Sequence, residues 1–185
     1  MDHPRQPTLR ILYWLLRRRF GRIPTWLRVV GSRMPLSFLS WGVRPYRLES
    51  KLLLPADTAA LLRARVAGLN GCASCLDSER GSATTETPNL RERLDALEHY
   101  TMSPLISDRE RAALDFATEL TEQRSVSQET FAELRRHFFE REVCEIVWVV
   151  ASENLFDLTN LGLGIGSDER CEHGALGRPA RATAT

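Results

Sequence analysis

Lysine is nearly missing from this chain: Lys51 stands alone, and the other 24 of its 25 basic residues are arginine. Strand signals are almost as scarce, because strict alternation of apolar and polar residues hardly occurs, whereas 3.6-residue periodicity recurs throughout. Long apolar runs are absent too. The longest are cut by Arg17, Glu145 or Glu153, which argues against a membrane-spanning segment. Residues 1–7 lack the charged-then-apolar pattern of a secretory leader, so the cytoplasm is the expected compartment. Four cysteines in 185 residues are too few for a disulfide scaffold, and a chain of this length buries enough surface not to need one.

The charge is small but unevenly spread. Residues 1–50 carry ten arginines against Asp2 and Glu49, a balance of +8; the remaining 15 basic and 22 acidic residues give −7, for a net +1. With no basic stripe over the whole chain, nucleic acid is not an expected partner. Arg17, Arg18 and Arg19 beside Leu15, Leu16 and Phe20 raise the alternative of a helix on an anionic membrane surface. A core-facing helix with a basic end is the preferred reading, since cations suit a helix C-terminus.

What remains predicts an all-α chain. Leu9, Leu12, Leu16 and Phe20 mark a first helix ending at Gly21. Pro24, Pro35 and Pro45 break residues 23–50 into short turns that carry Trp26, Phe38 and Trp41 inward. Pro55 opens a clearer helix with Leu62, Val66 and Leu69 on one face, interrupted by Asn70 and Gly71. Thr87 and Pro88 start the next, striped by Leu90, Leu94 and Leu97. Ser107 and Glu110 read as a capping box ahead of Ala113, Phe116, Ala117 and Leu120. Ser127 caps a helix with Phe131, Leu134 and Phe138 inside. The span 140–161 is the most apolar helix, and its 146–150 run, apolar on every side, predicts a central position or a subunit contact. Three regions follow: a basic helical extension packed on the core over 1–50, a helical domain over 51–165, and a disordered tail over 166–185.

Chemistry concentrates at Cys72 and Cys75. A helix brings residues three apart to one face, so their sulfurs can close a disulfide, and a helix N-terminus favours a thiolate. Zinc is the competing use of this spacing, but it needs two further ligands. Cys171 and His173 are the only candidates, and they fall in the expected tail, so redox is preferred and neither metal nor cofactor is expected. Cys144, in an apolar helix, reads as inert packing.

The stretch from Leu61 to Cys75, a helix ending in Asn-Gly-Cys-Ala-Ser-Cys, resembles the signature of the carboxymuconolactone decarboxylase and alkylhydroperoxidase D-like superfamily. The resemblance continues through residues 105–117 and 137–148 to Asn154 and Asn160. It implies an all-helical homo-oligomer. It also implies a peroxidase-like antioxidant cycle in which Cys75 attacks a hydroperoxide, Cys72 resolves it, and a separate thiol donor protein supplies electrons. The glutamate and histidine that relay protons in the peroxidase members are missing: Ala60 and Glu79 stand in their places. Glu79 would then be a weaker proton acceptor or a solvated surface carboxylate, and His99 or His137 a base from another helix, although His137, beside Phe138 and Phe139, reads more readily as a packing or capping residue. The alternatives are a disulfide-exchange or assembly module of the same fold and a decarboxylase-type member; the intact cysteine pair argues against the last.

Overall fold

The structure, a computed structural model, describes residues 10, 11, 13, 14, 17, 18, 23, 25–34, 49, 51–82 and 89–166, with the backbone alone at 26, 27, 32 and 82. The expected stripe of the first helix, the inward packing of Trp26, Phe38 and Trp41, the Thr87–Pro88 helix start and the tail bearing Cys171 and His173 lie outside the described residues. Within them, every regular element is helical. The elements are α1 (Thr25–Arg33), α2 (Ala56–Asn70), α3 (Ala73–Ser82), α4 (Leu90–Asp95) continued by a 3₁₀ turn (Ala96–His99), α5 (Asp108–Gln123), α6 (Gln128–His137) and α7 (Glu140–Gly162). Among the described residues no helix is long and apolar enough to cross a membrane.

Helix α2 is the hub and packs against α7, α5, α3 and α4. Its composition explains why. Ala59, Ala60, Ala64 and Ala67 are all buried, and side chains this small let neighbouring helices approach closely. Leu61, Leu62 and Val66 fill the space between, with no exposed surface at all. The opposing faces are Leu114, Phe116 and Ala117 of α5 and Ile146, Val149 and Val150 of α7. Leu90, Leu94 and Leu97 close one side, as their spacing predicts, and Leu69 is half-buried.

The caps also follow from sequence. Ser107 Oγ accepts from the Glu110 amide while the Glu110 carboxylate accepts from the Ser107 amide at 3.0 Å, and Ser127 accepts from the Thr130 amide. Three expectations change. Phe131 is 44% exposed, because α6 buries only Leu134 among its residues and its first turn lies outside the packing. The 146–150 run divides, with Ile146, Val149 and Val150 in the core and Val147 and Trp148 facing out. Cys144 shares that outward face and is exposed rather than packed.

One buried carboxylate fastens α7 to the segment that leads into α2. Glu145 Oε2 accepts the amides of Leu53 at 2.8 Å and Leu54 at 2.9 Å, and Oε1 accepts from Arg141 Nε at 3.0 Å. Removing it orphans two amides, one of them buried. Glu145→Ala is therefore expected to lower unfolding free energy by about 3 kcal/mol, against about 1 kcal/mol for Ser107→Ala. Urea titrations followed by circular dichroism measure both; equal losses would show that the Glu145 bonds add nothing beyond a cap.

Candidate redox site

The site begins with how α2 ends. Gly71 adopts a left-handed conformation (φ 71°), which a side chain would strain. Its amide bonds Gly68 O at 3.2 Å and the Cys72 amide bonds Ala67 O at 2.9 Å, a Schellman closure that stops the helix within one residue. The Cys72 carbonyl then accepts the amides of Cys75 at 3.1 Å and Leu76 at 3.0 Å, making Cys72 the cap of α3. Cys75 lies in the first turn, where the positive end of the helix favours an anionic sulfur.

Cys72 and Cys75 are joined as a disulfide with Cα atoms 5.4 Å apart. Both are buried, Cys72 at 2% and Cys75 at 7% exposure, against Ala67 and Leu76. Asn160 Nδ2 of α7 donates to Cys75 Sγ at 3.2 Å, and Ser74 Oγ lies 3.5 Å from Cys72 Sγ. A carboxylate oxygen of Asp157 lies within 4.8 Å of both sulfurs. Asp157 is fully buried; Asn70, the last residue of α2, donates to its Oδ2 at 2.7 Å and to Asn154 Oδ1 at 3.1 Å.

Around this core sits an excess of buried acid. Glu79 is largely buried, not solvated: it accepts from Arg63 Nε at 3.0 Å, and Arg63 also pairs with Glu49 at 3.5 Å. Burial would pull the Arg63 guanidinium down, but Glu79, Glu49 and Glu153 outweigh it and hold its pKa above the ordinary value. Burial pushes the Glu79 carboxyl up, with Arg63 opposing and Glu49 reinforcing. Glu153 lies well above the carboxylate range through burial first, then Asp157 and Glu79. Burial raises Asp157 to about 6, while the side-chain bonds from Asn70 and Glu153 pull it back.

The expected site residues are therefore not all brought together. Cys72 and Cys75 meet, and Glu79 lies one turn further along α3, tied to Arg63. Ala60 is buried in the apolar core. His99 is exposed. The His137 ring meets Glu133 at 3.3 Å, and its carbonyl takes Arg109. His137 precedes α7, whereas Asp157 and Asn160 lie roughly 25 Å or more along that helix at 1.5 Å per residue. Asn70, Glu153 and Asp157 went unassigned in the sequence. The signal was there: two acids four residues apart on a helix otherwise chosen for burial.

Comparison with known proteins agrees with this architecture. No protein-family model matches the chain. The uncharacterized protein YnjA of Escherichia coli K12 is 29% identical over 170 residues, 88% of this chain and 90% of that protein. The uncharacterized protein YdfG of Bacillus subtilis 168 is 25% identical over 109 residues, 58% and 74% of the two chains. An uncharacterized peroxidase-related protein of Silicibacter sp. TM1040 superposes with a TM-score of 0.79 at 18% identity, over 92% of this chain and 90% of that one. An alkylhydroperoxidase AhpD core protein of Ralstonia eutropha JMP134 gives 0.75 at 19%, over 94% and 92%. The debrominase Bmp8, solved as a cysteine-to-alanine variant in complex with 2,3,4-tribromopyrrole, gives 0.77 at 20%, over 93% and 94%. What these structures share with the chain is the fold: the all-helical arrangement described above is that of the peroxidase-related protein and the alkylhydroperoxidase AhpD core protein.

The raised acids predict a pH dependence of stability. An unfolded aspartate ionises near its ordinary 3.8, and in the fold Asp157 does so near 6. The folded chain therefore binds the extra proton between those values. Stability from this group is full below about pH 4 and is lost as pH rises through 6, about 3 kcal/mol in all. Asp157→Asn in the disulfide form should remove that part of the slope, so the variant gains on wild type as pH rises from 4 to 7. Parallel stability curves would show that Asp157 ionises as freely as in the unfolded chain.

Proposed function

We propose that the chain is a thiol-dependent peroxidase-like protein in which Cys72 and Cys75 alternate between dithiol and disulfide. The observation that carries this reading is a buried disulfide at a helix N-terminus with a side-chain amide, Asn160, aimed at Cys75. That amide and the first turn of α3 favour a Cys75 thiolate. The thiolate attacks the outer oxygen of a hydroperoxide; the O–O bond breaks, an alcohol leaves with a proton, and Cys75 becomes a sulfenic acid. Cys72 sulfur then attacks Cys75, forming the disulfide and releasing water. An external thiol donor returns two electrons and two protons.

Asp157, rather than Glu79 or His137, is the proton acceptor in this scheme, because its carboxylate is the one within reach of both sulfurs. Arg63 offsets the Glu79 charge that would otherwise oppose a thiolate. Cys75→Ser should abolish peroxide consumption, and Asp157→Asn should reduce it about 10²-fold, the lower end for a general acid–base group. His137→Ala should leave it within about twofold. Stopped-flow peroxide assays with a dithiol donor decide the matter. If wild type ignores peroxide while its disulfide still cycles with the dithiol, the disulfide-exchange module is the better reading. Because a debrominase shares the fold, a brominated pyrrole belongs in the same assay as an alternative target of the thiolate.

Self-association is part of the proposal. Val147, Trp148, Leu155, Leu158 and Leu161 form an exposed apolar face along α7. Sedimentation should give a mass that is a multiple of 21.0 kDa, and Trp148→Glu with Leu155→Glu should reduce it to the monomer.

A further inference from the structure

We propose that the reduced pocket binds a thiophilic divalent cation of the Zn²⁺ or Cd²⁺ class through Cys72 Sγ, Cys75 Sγ and an Asp157 carboxylate oxygen. The inference rests on the reading that the Cys72–Cys75 disulfide is reducible. The three donors lie within 4.8 Å of one another and all three residues are buried. Two cysteines at this spacing are half of a zinc site, and the missing half is what disfavours zinc in the sequence, where only Cys171 and His173 are candidates. Folding supplies a third ligand from α7.

The second observation is the state of Asp157. Its Oδ2 is fixed by Asn70, and the other side-chain bond it receives is from the Glu153 carboxyl; no amide, hydroxyl or cation reaches the buried Oδ1. Glu145, the buried carboxylate nearer the start of the same helix, has both oxygens engaged. A buried carboxylate faced by a second carboxyl rather than by a cation is costly at neutral pH. A cation beside two thiolates would satisfy it. The surroundings also resemble the support that metal ligands receive: Asn70 orients the carboxylate and Asn160 donates to Cys75 Sγ. Two sulfurs and one oxygen favour Zn²⁺ or Cd²⁺ over Mg²⁺ or Ca²⁺. The fourth position is left to water.

Metal and disulfide exclude each other because both use the same sulfurs. A reductant delivers two electrons and two protons to the disulfide, giving two thiols. Cation binding then releases the two thiol protons to solvent, with no further change of oxidation state. A bound cation holds both sulfurs as ligands and withdraws them from peroxide, so metal availability regulates the proposed cycle.

The test uses the full chain in both redox states. After phosphine reduction and desalting under nitrogen, thiols are counted in denaturant, and Zn²⁺ binding is measured by equilibrium dialysis and Cd²⁺ binding by thiolate-to-metal absorption. The expected result is one cation per chain in the reduced form and none in the disulfide form. Zn²⁺ should protect Cys72 and Cys75, but not Cys144, from alkylation. Cys144→Ser with Cys171→Ser should bind as wild type does, and Asp157→Asn, checked for native helical dichroism, should bind at least about tenfold more weakly. Reduction that exposes no new thiols defeats the redox reading itself. Four thiols without metal binding, equal binding in the disulfide form, or alkylation of the pair undiminished by Zn²⁺ overturns this inference alone.

Discussion

Termination of α2 at Asn70 and Gly71 is the constraint from which the site follows. Because Gly71 takes a left-handed conformation, the chain turns sharply enough for the Cys72 carbonyl to begin α3 one residue later. That places one sulfur at the cap and the other in the first turn, the relation in which they close on each other. The same turn leaves Asn70 beside α7, where its amide fixes Asp157. A Gly71 replacement would therefore disturb three things together: the helix end, the cysteine geometry and the hold on the carboxylate.

The electrostatics follow from packing around that turn. Glu49, Glu79 and Glu153 crowd about Arg63, and Asp157 adds a further acid beside Glu153. The Glu79, Glu153 and Asp157 carboxyls are all shifted upward, with burial the first cause in each. A fold selected only for stability would be better served by apolar residues here, since unmatched buried carboxyls cost free energy at neutral pH. A site that moves protons to and from sulfur has a use for a carboxyl such as Asp157, raised to about 6. In the proposed cycle Asp157 takes the part of the histidine that the superfamily resemblance would place at Glu79.

Much of this was legible in the sequence. Local rules carried the helices, the two serine caps and the cysteine pair, because caps, stripes and C-x-x-C spacing act over a few residues. What failed was contact between distant segments. Glu79 reads as a solvated carboxylate until Arg63 folds against it, and Cys144 reads as packing until α7 chooses which face goes inward. Asp157 is the clearest case. Nothing near it in sequence announces sulfur, and only the packing of α7 on α2 and α3 brings it to Cys72 and Cys75.

The disulfide itself contributes little to holding this fold together. It links residues three apart, and closing so short a loop restricts the unfolded chain by only about 2 kcal/mol. The main core, from Leu54 to Val150, is assembled from α2, α4, α5, α6 and α7 without either sulfur. Cys72 and Cys75 form a small cluster of their own with Ala67 at its edge. The helices that carry Asn160 and Asp157 are therefore held by contacts that do not depend on the bond. A bond that stabilises so little, yet is buried among an amide, a hydroxyl and an acid with displaced ionisation, fits the proposed redox cycle better than a purely structural role.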